Sequence, residues 1–174
     1  MANNAYFEMH VKGKKPMVDE FVRAMERKGE YAYNGVGRIF SCDVFDDQKN
    51  DDGTVTYSIS GDCAWSILIG MRDHEKQNNI ERLSDRLGLE IEAYSEEYGI
   101  GFHEHIYINH GKVEVDECRN AYEWDVECGE LDDKIWSLPD VEEAGITREN
   151  YMEYAQDGWL KVGGFEWDFN HVRA

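Results

Sequence analysis

The sequence predicts an α+β fold built around an antiparallel sheet. Three observations lead there: short stretches in which apolar and polar residues alternate, two stretches with apolar residues at helical spacing, and Gly-containing turns between them. With 41% hydrophobic residues, including five Trp, ten Tyr and seven Phe, the chain of 174 residues can bury a core without metal or disulfide staples.

Ala5 to Val11 alternates, with Ala5, Phe7, Met9 and Val11 on one face and Tyr6, Glu8 and His10 on the other, so it reads as a half-buried strand. Pro16 suits a first helical turn, and Met17, Val18, Phe21, Val22 and Met25 recur at helical spacing until Gly29. Arg38 to Phe45 reads as a strand running into the polar loop Asp46 to Gly53. Thr54 to Ser60, with Val55, Tyr57 and Ile59 on one face, completes a hairpin.

Cys63 to Met71 is an apolar run too short to cross a membrane, and it predicts a helical turn or irregular segment packed on the sheet. Glu75 to Leu87 carries Ile80, Leu83 and Leu87 at spacings of three and four and stops at Gly88, a second helix. Leu89, Ile91 and Ala93 mark a strand, Phe102 to Asn109 another and Lys112 to Cys118 a third, with His110-Gly111 as the tight turn between the last two. The first six elements follow the order β-α-β-β-α-β, the ferredoxin-like pattern with helices on one face of an antiparallel sheet. The expectation is one domain, with a core and added hairpin over 5–123 and an acidic C-terminal extension over 124–174. In that extension Thr147 is expected to cap a helix from Arg148 to Gln156, Pro139 to lie in a loop, and Trp159 to Val162 to pair with Phe165 to Phe169 around Gly163-Gly164.

Charge is the most unusual property. Thirty-seven acids against 18 Lys and Arg give −19, a surface that repels nucleic acid and anionic membrane and attracts basic proteins. Residues 114–157 hold fifteen acids against Arg119, Lys134 and Arg148. The opening residues lack the apolar stretch of a signal peptide, and Cys42, Cys63, Cys118 and Cys128 have no CxxC spacing, so a cytoplasmic location with reduced thiols is expected.

The stretch Leu89-Glu90-Ile91-Glu92-Ala93-Tyr94-Ser95-Glu96-Glu97-Tyr98-Gly99-Ile100-Gly101-Phe102, a strand ending in Tyr-x-Glu before a Gly-aromatic pair, resembles the YubB-like ferredoxin-like domain of plasmid and phage proteins. Ser60-Gly61-Asp62-Cys63-Ala64-Trp65, where a strand passes to an Ala-Trp pair, is similar to the same family. The resemblance covers roughly residues 5–123. The usual Trp-Cys-x-Asn-like opening is absent, with only the Asn of Asn3-Asn4-Ala5-Tyr6 retained. The family has no settled chemistry, so the resemblance implies a setting, a mobile element, and no catalytic residue.

Candidate chemistry is sparse. His103-Glu104-His105 places two imidazoles on one face of a strand, where Glu96, Glu97 or His110 could complete a metal shell, although two histidines in an exposed hairpin are more often surface groups. Glu96 and Glu97 point to opposite faces of a strand and cannot act as a carboxylate pair. Asp43 to Gly53 resembles a calcium loop in composition alone. Gly35-Val36-Gly37 lacks a phosphate-loop pattern. No nucleophile triad is detectable and no cofactor is expected.

The acidic aromatic surface is the leading candidate. Tyr122, Trp124, Trp136, Tyr151, Tyr154, Trp159 and Trp167 are interleaved with carboxylates. The expected partner-binding residues are Asp116, Glu117, Glu123, Trp124, Asp125, Glu127, Asp132, Asp133, Asp140, Glu142, Glu143, Glu149 and Glu153, facing a basic, nucleic-acid-binding protein. The expected function is therefore a non-enzymatic acidic binding protein, and the mobile-element setting that the resemblance implies extends this to a nucleic-acid mimic that inhibits a host defence nuclease such as a CRISPR effector. The alternatives are a metal-binding or hydrolytic module using His103 and His105, and a structural or assembly protein that self-associates.

Overall fold

The structure, a computed structural model, describes residues 4–97, 101–127 and 131–173. Asn3, the Tyr98-Gly99-Ile100 part of the family-like stretch, Cys128 and Glu130 lie outside the described residues.

Seven strands form one antiparallel sheet in the order β2-β3-β1-β4-β5-β6-β7. They are β1 (Asn4–Gly13), β2 (Ile39–Lys49), β3 (Val55–Ala64), β4 (Glu90–Glu97), β5 (Phe102–Asn109), β6 (Lys112–Asp125) and β7 (Trp159–Gly163). Helices are few: α1 (Lys15–Met25) and α2 (Ile80–Leu87) are the longest, and α3 (Pro139–Glu143) and α4 (Tyr151–Tyr154) are barely one turn.

The ferredoxin-like expectation is corrected by this architecture. The later strands do not form an appended hairpin, because β5, β6 and β7 continue the same ladder and make the molecule mostly a seven-stranded sheet with few helices. Its two faces differ sharply. Phe7, Met9 and Val11 of β1, with Ile59, Ile91 and Ile108 of neighbouring strands, pack with Val18 and Phe21 of α1 and Leu83 of α2 in one fully buried cluster. The opposite face is polar and aromatic.

Individual elements also differ from expectation. β2 does not stop at Phe45 but continues through Asp46-Asp47-Gln48-Lys49, since pairing with Ser58 to Val55 across a bulge outweighs the low strand preference of these residues. The second helix starts at Ile80, because the Asn79 side chain accepts the amide of Arg82 and caps it. Residues 67–71 form a π-helical turn, with the backbone amide of Ile67 bonded to the buried carboxylate of Glu104. Pro139 opens α3 instead of lying in a loop, and the helix expected from Arg148 shrinks to Tyr151–Tyr154.

The closing hairpin is corrected as well. β7 pairs with the second half of β6, and residues 165–172 leave it as an extended strap without ladder pairing. Gly163 and Gly164, both at φ +79°, make that departure. A Cβ on Gly164 would lie 2.3 Å from Nδ1 of His103, so the strap can descend onto the sheet only without a side chain there.

Gly164→Ala is accordingly expected to cost about 2 kcal/mol or more, from overpacking and a left-handed backbone. Denaturant unfolding measures the loss. Limited proteolysis should cut the variant within 165–172 while amide protection in α1 persists, and unchanged protection of the strap would contradict this account.

Candidate functional site

The polar sheet face is laid out in rows fixed by strand register. One row runs Tyr6, Glu96, His103 and Arg119; the next Glu8, Tyr94, His105 and Glu117; the third His10, Glu92, Tyr107 and Val115. The strap runs over these rows with alternate side chains facing the sheet. Trp167 stacks on Tyr6 at 5.9 Å and on Tyr94 at 5.8 Å, Phe169 on His10 at 3.8 Å, and His171 on Tyr107 at 4.4 Å.

An extended segment outside a ladder still needs partners for its backbone groups, and side chains of the sheet supply them. Glu92, with a fully buried side chain, accepts the amides of His171 at 2.9 Å and Val172 at 2.8 Å on Oε2 and faces Nε2 of His105 at 3.0 Å on Oε1. His10 Nδ1 donates to the carbonyl of Val172 at 2.7 Å, and Tyr94 Oη donates to that of Asp168 at 2.9 Å. The amide of Phe165 donates to Nδ1 of His103 at 3.0 Å, which puts the ring proton on Nε2, 3.3 Å from Glu96 Oε2. Burial alone would raise the Glu92 carboxyl, but the hydrogen bonds from His105 and the two backbone amides outweigh it and hold Glu92 below its ordinary value.

His103 and His105 do share a face, yet they are not surface groups. His103 is 6% exposed under the strap, and the Nε2 atoms of both histidines are turned onto Glu96 and Glu92. Among the described residues no group of three or more His, Cys, Asp or Glu side chains is placed to hold a metal ion. Cys63 is buried and its thiol is pushed up to about 12 by burial and then by Glu104 and Asp62, so it is inert as a nucleophile.

Where the strap rises from the sheet it leaves a cavity of about 420 Å3. Tyr6, Tyr122, Phe165 and Trp167 line it with aromatic rings, and Glu8, Glu96, His103 and Lys161 with polar groups. Tyr6 Oη donates to Glu8 Oε1 at 2.8 Å; burial and then Glu8 push the phenol up to about 12, so it stays a donor. Lys161 is held by Glu123 at 2.8 Å. Sequence reasoning missed Tyr6, Glu8, Phe165 and Glu92 as site residues. The signal present was the alternation Phe165-x-Trp167-x-Phe169-x-His171, opposite a strand whose polar face begins with Tyr6 and Glu8.

The expected partner-binding residues divide into two groups. Asp116 binds Arg72 at 2.8 Å, Glu117 lies 3.6 Å from Arg119, Glu123 binds Lys161, and Asp133 binds Arg148 at 2.7 Å. Asp125 and Asp132 accept nearby backbone amides, and Trp124 packs into a second apolar cluster with Leu160, Val162 and Val141. Glu127, Asp140, Glu142, Glu143, Glu149 and Glu153 have no ion pair among the described residues, and all but the half-buried Asp140 are exposed. The interleaved aromatics divide likewise: Trp136 and Tyr151 pack on the second cluster, whereas Tyr154 and Trp159 are exposed.

No protein-family model, no curated protein and no solved structure matches the chain. No helix among the described residues is long and apolar enough to cross a membrane.

Replacing Glu92 by Gln removes a buried acceptor charge from three donors, an expected loss of about 3 kcal/mol. Because the folded carboxyl titrates below its unfolded value, its stabilisation is complete above the ordinary glutamate range and disappears as pH falls through the folded value. Denaturant titrations should therefore show the gap between the wild type and E92Q at full size near neutral pH and shrinking as pH falls below the ordinary glutamate range. A pH-independent gap would contradict the assignment.

Proposed function

We propose that this chain is a non-enzymatic acidic protein that binds a basic, nucleic-acid-binding protein by presenting carboxylates in place of phosphates. The observation that carries this reading is the charge of residues 131–157. This segment folds over β6 and β7 around Ile135, Val141 and Ile146, and it holds eight carboxylates against Lys134 and Arg148. Of the eight, only Asp133 has an ion pair among the described residues. The carboxylates left without a cation on α3, on α4 and between them, Glu142, Glu143, Glu149 and Glu153, give a field that a Lys- and Arg-rich surface would neutralise. Tyr154, next to Glu153 on α4, and Trp159 are exposed and add apolar contact area. The more specific role, inhibition of a host defence nuclease such as a CRISPR effector, takes its setting from the YubB-like resemblance of residues 5–123 alone.

Reversal of Glu142, Glu143 and Glu149 to Lys should weaken capture of a DNA-binding nuclease roughly tenfold at low salt, a change of about 1.4 kcal/mol. Reversal of Glu26 and Glu30 should leave capture nearly unchanged. Binding should also weaken as salt rises and should compete with duplex DNA. Equal losses from the two sets of reversals would sink the localisation, and self-association without any capture would favour an assembly role.

A further inference from the structure

We propose that the cavity beneath the strap receives an arginine side chain, its guanidinium held against the stacked pair of Tyr6 and Trp167 and bound by the carboxylate of Glu8. The inference rests on the reading of the chain as a binder of a basic protein and assigns that partner's anchor.

Four aromatic rings line one cavity, and Tyr6 is 37% exposed there. Aromatic faces attract cations, most strongly when the ring is an indole and the cation is partly desolvated. A volume of about 420 Å3 falls inside the roughly 300–1,000 Å3 range of clefts that enclose small ligands.

Charge selects the occupant. Glu8 and Glu96 line the cavity, and its one ammonium, Lys161, is already paired with Glu123 at 2.8 Å. Glu96 is shared with His103 at 3.3 Å. Glu8 lines the cavity and uses Oε1 for the Tyr6 hydroxyl, and its Oε2 has no hydrogen-bond partner among the described residues, which leaves it one open acceptor.

A planar guanidinium suits these walls better than a rounded ammonium. It can lie flat on an aromatic face while its edge donates to a carboxylate. The protein itself makes this contact next door, where Arg119 places its guanidinium carbon 4.4 Å from the ring centre of Phe165 and an edge 3.6 Å from Glu117.

The test is calorimetric titration of the intact chain with arginine amide and with lysine amide, followed by capture of an Arg-rich peptide. Arginine amide should bind with a stoichiometry of one and about tenfold more tightly than lysine amide. Glu8→Gln, which keeps the acceptor for Tyr6, should weaken arginine amide about tenfold, and Trp167→Ala should abolish binding. If Trp167→Ala loosens the strap, Glu8→Gln alone decides the matter, with its fold checked by circular dichroism. Equal binding of the two amides, or binding untouched by Glu8→Gln, overturns the proposal. Peptide capture that is lost on reversal of Glu142, Glu143 and Glu149 but indifferent to Glu8→Gln would overturn the anchor and leave the acidic-surface reading standing.

Discussion

The buried carboxylate of Glu92 is the constraint on which the rest of the polar sheet face depends. It sits near the middle of the seven-stranded sheet and gathers two amides of the strap and one imidazole of β5. Without that acceptor the amides of His171 and Val172 would have no partner, and the stacked pairs of Phe169 on His10 and His171 on Tyr107 would lose their alignment. Glu104 does the matching task on the apolar face, where it accepts the amide of Ile67 at 2.8 Å and the hydroxyl of Ser95 at 2.7 Å. Two anionic side chains on adjoining strands β4 and β5, pointing opposite ways, each fasten one irregular segment to a regular sheet.

This arrangement explains what could be read from residues alone. Strands with one apolar face, such as β1 with Phe7, Met9 and Val11, announce themselves by period, and so does α1. The polar face gives no such signal, because Glu92, His103 and His105 look like solvated groups until the strap is placed over them. Periodicity also ranks poorly against pairing. Asp46 to Lys49 extend β2 against their own preferences since β3 offers a ladder, while Phe165 to Phe169 alternate like a strand and pair with nothing.

The candidate site was legible in part. Acidic excess over residues 114–157 is visible in the sequence, but not which carboxylates are already neutralised: Asp116 is committed to Arg72 and Glu123 to Lys161, whereas Glu142 and Glu143 remain open. The aromatic cavity was hidden for a different reason. Tyr6 and Trp167 stand 161 positions apart, as the numbering shows, and only strap geometry brings them within 5.9 Å.

β2 has a further implication. It is an eleven-residue outermost strand whose far side offers free peptide groups to any neighbour, and Phe40, Val44 and Phe45 stand exposed on it. Such a margin is a template for runaway polymerisation unless something forbids it. Asp43, Asp46 and Asp47 act as gatekeepers, since an identical copy approaching that margin meets its own charges. Part of the −19 thus lies along this margin, away from the acid-rich residues 114–157.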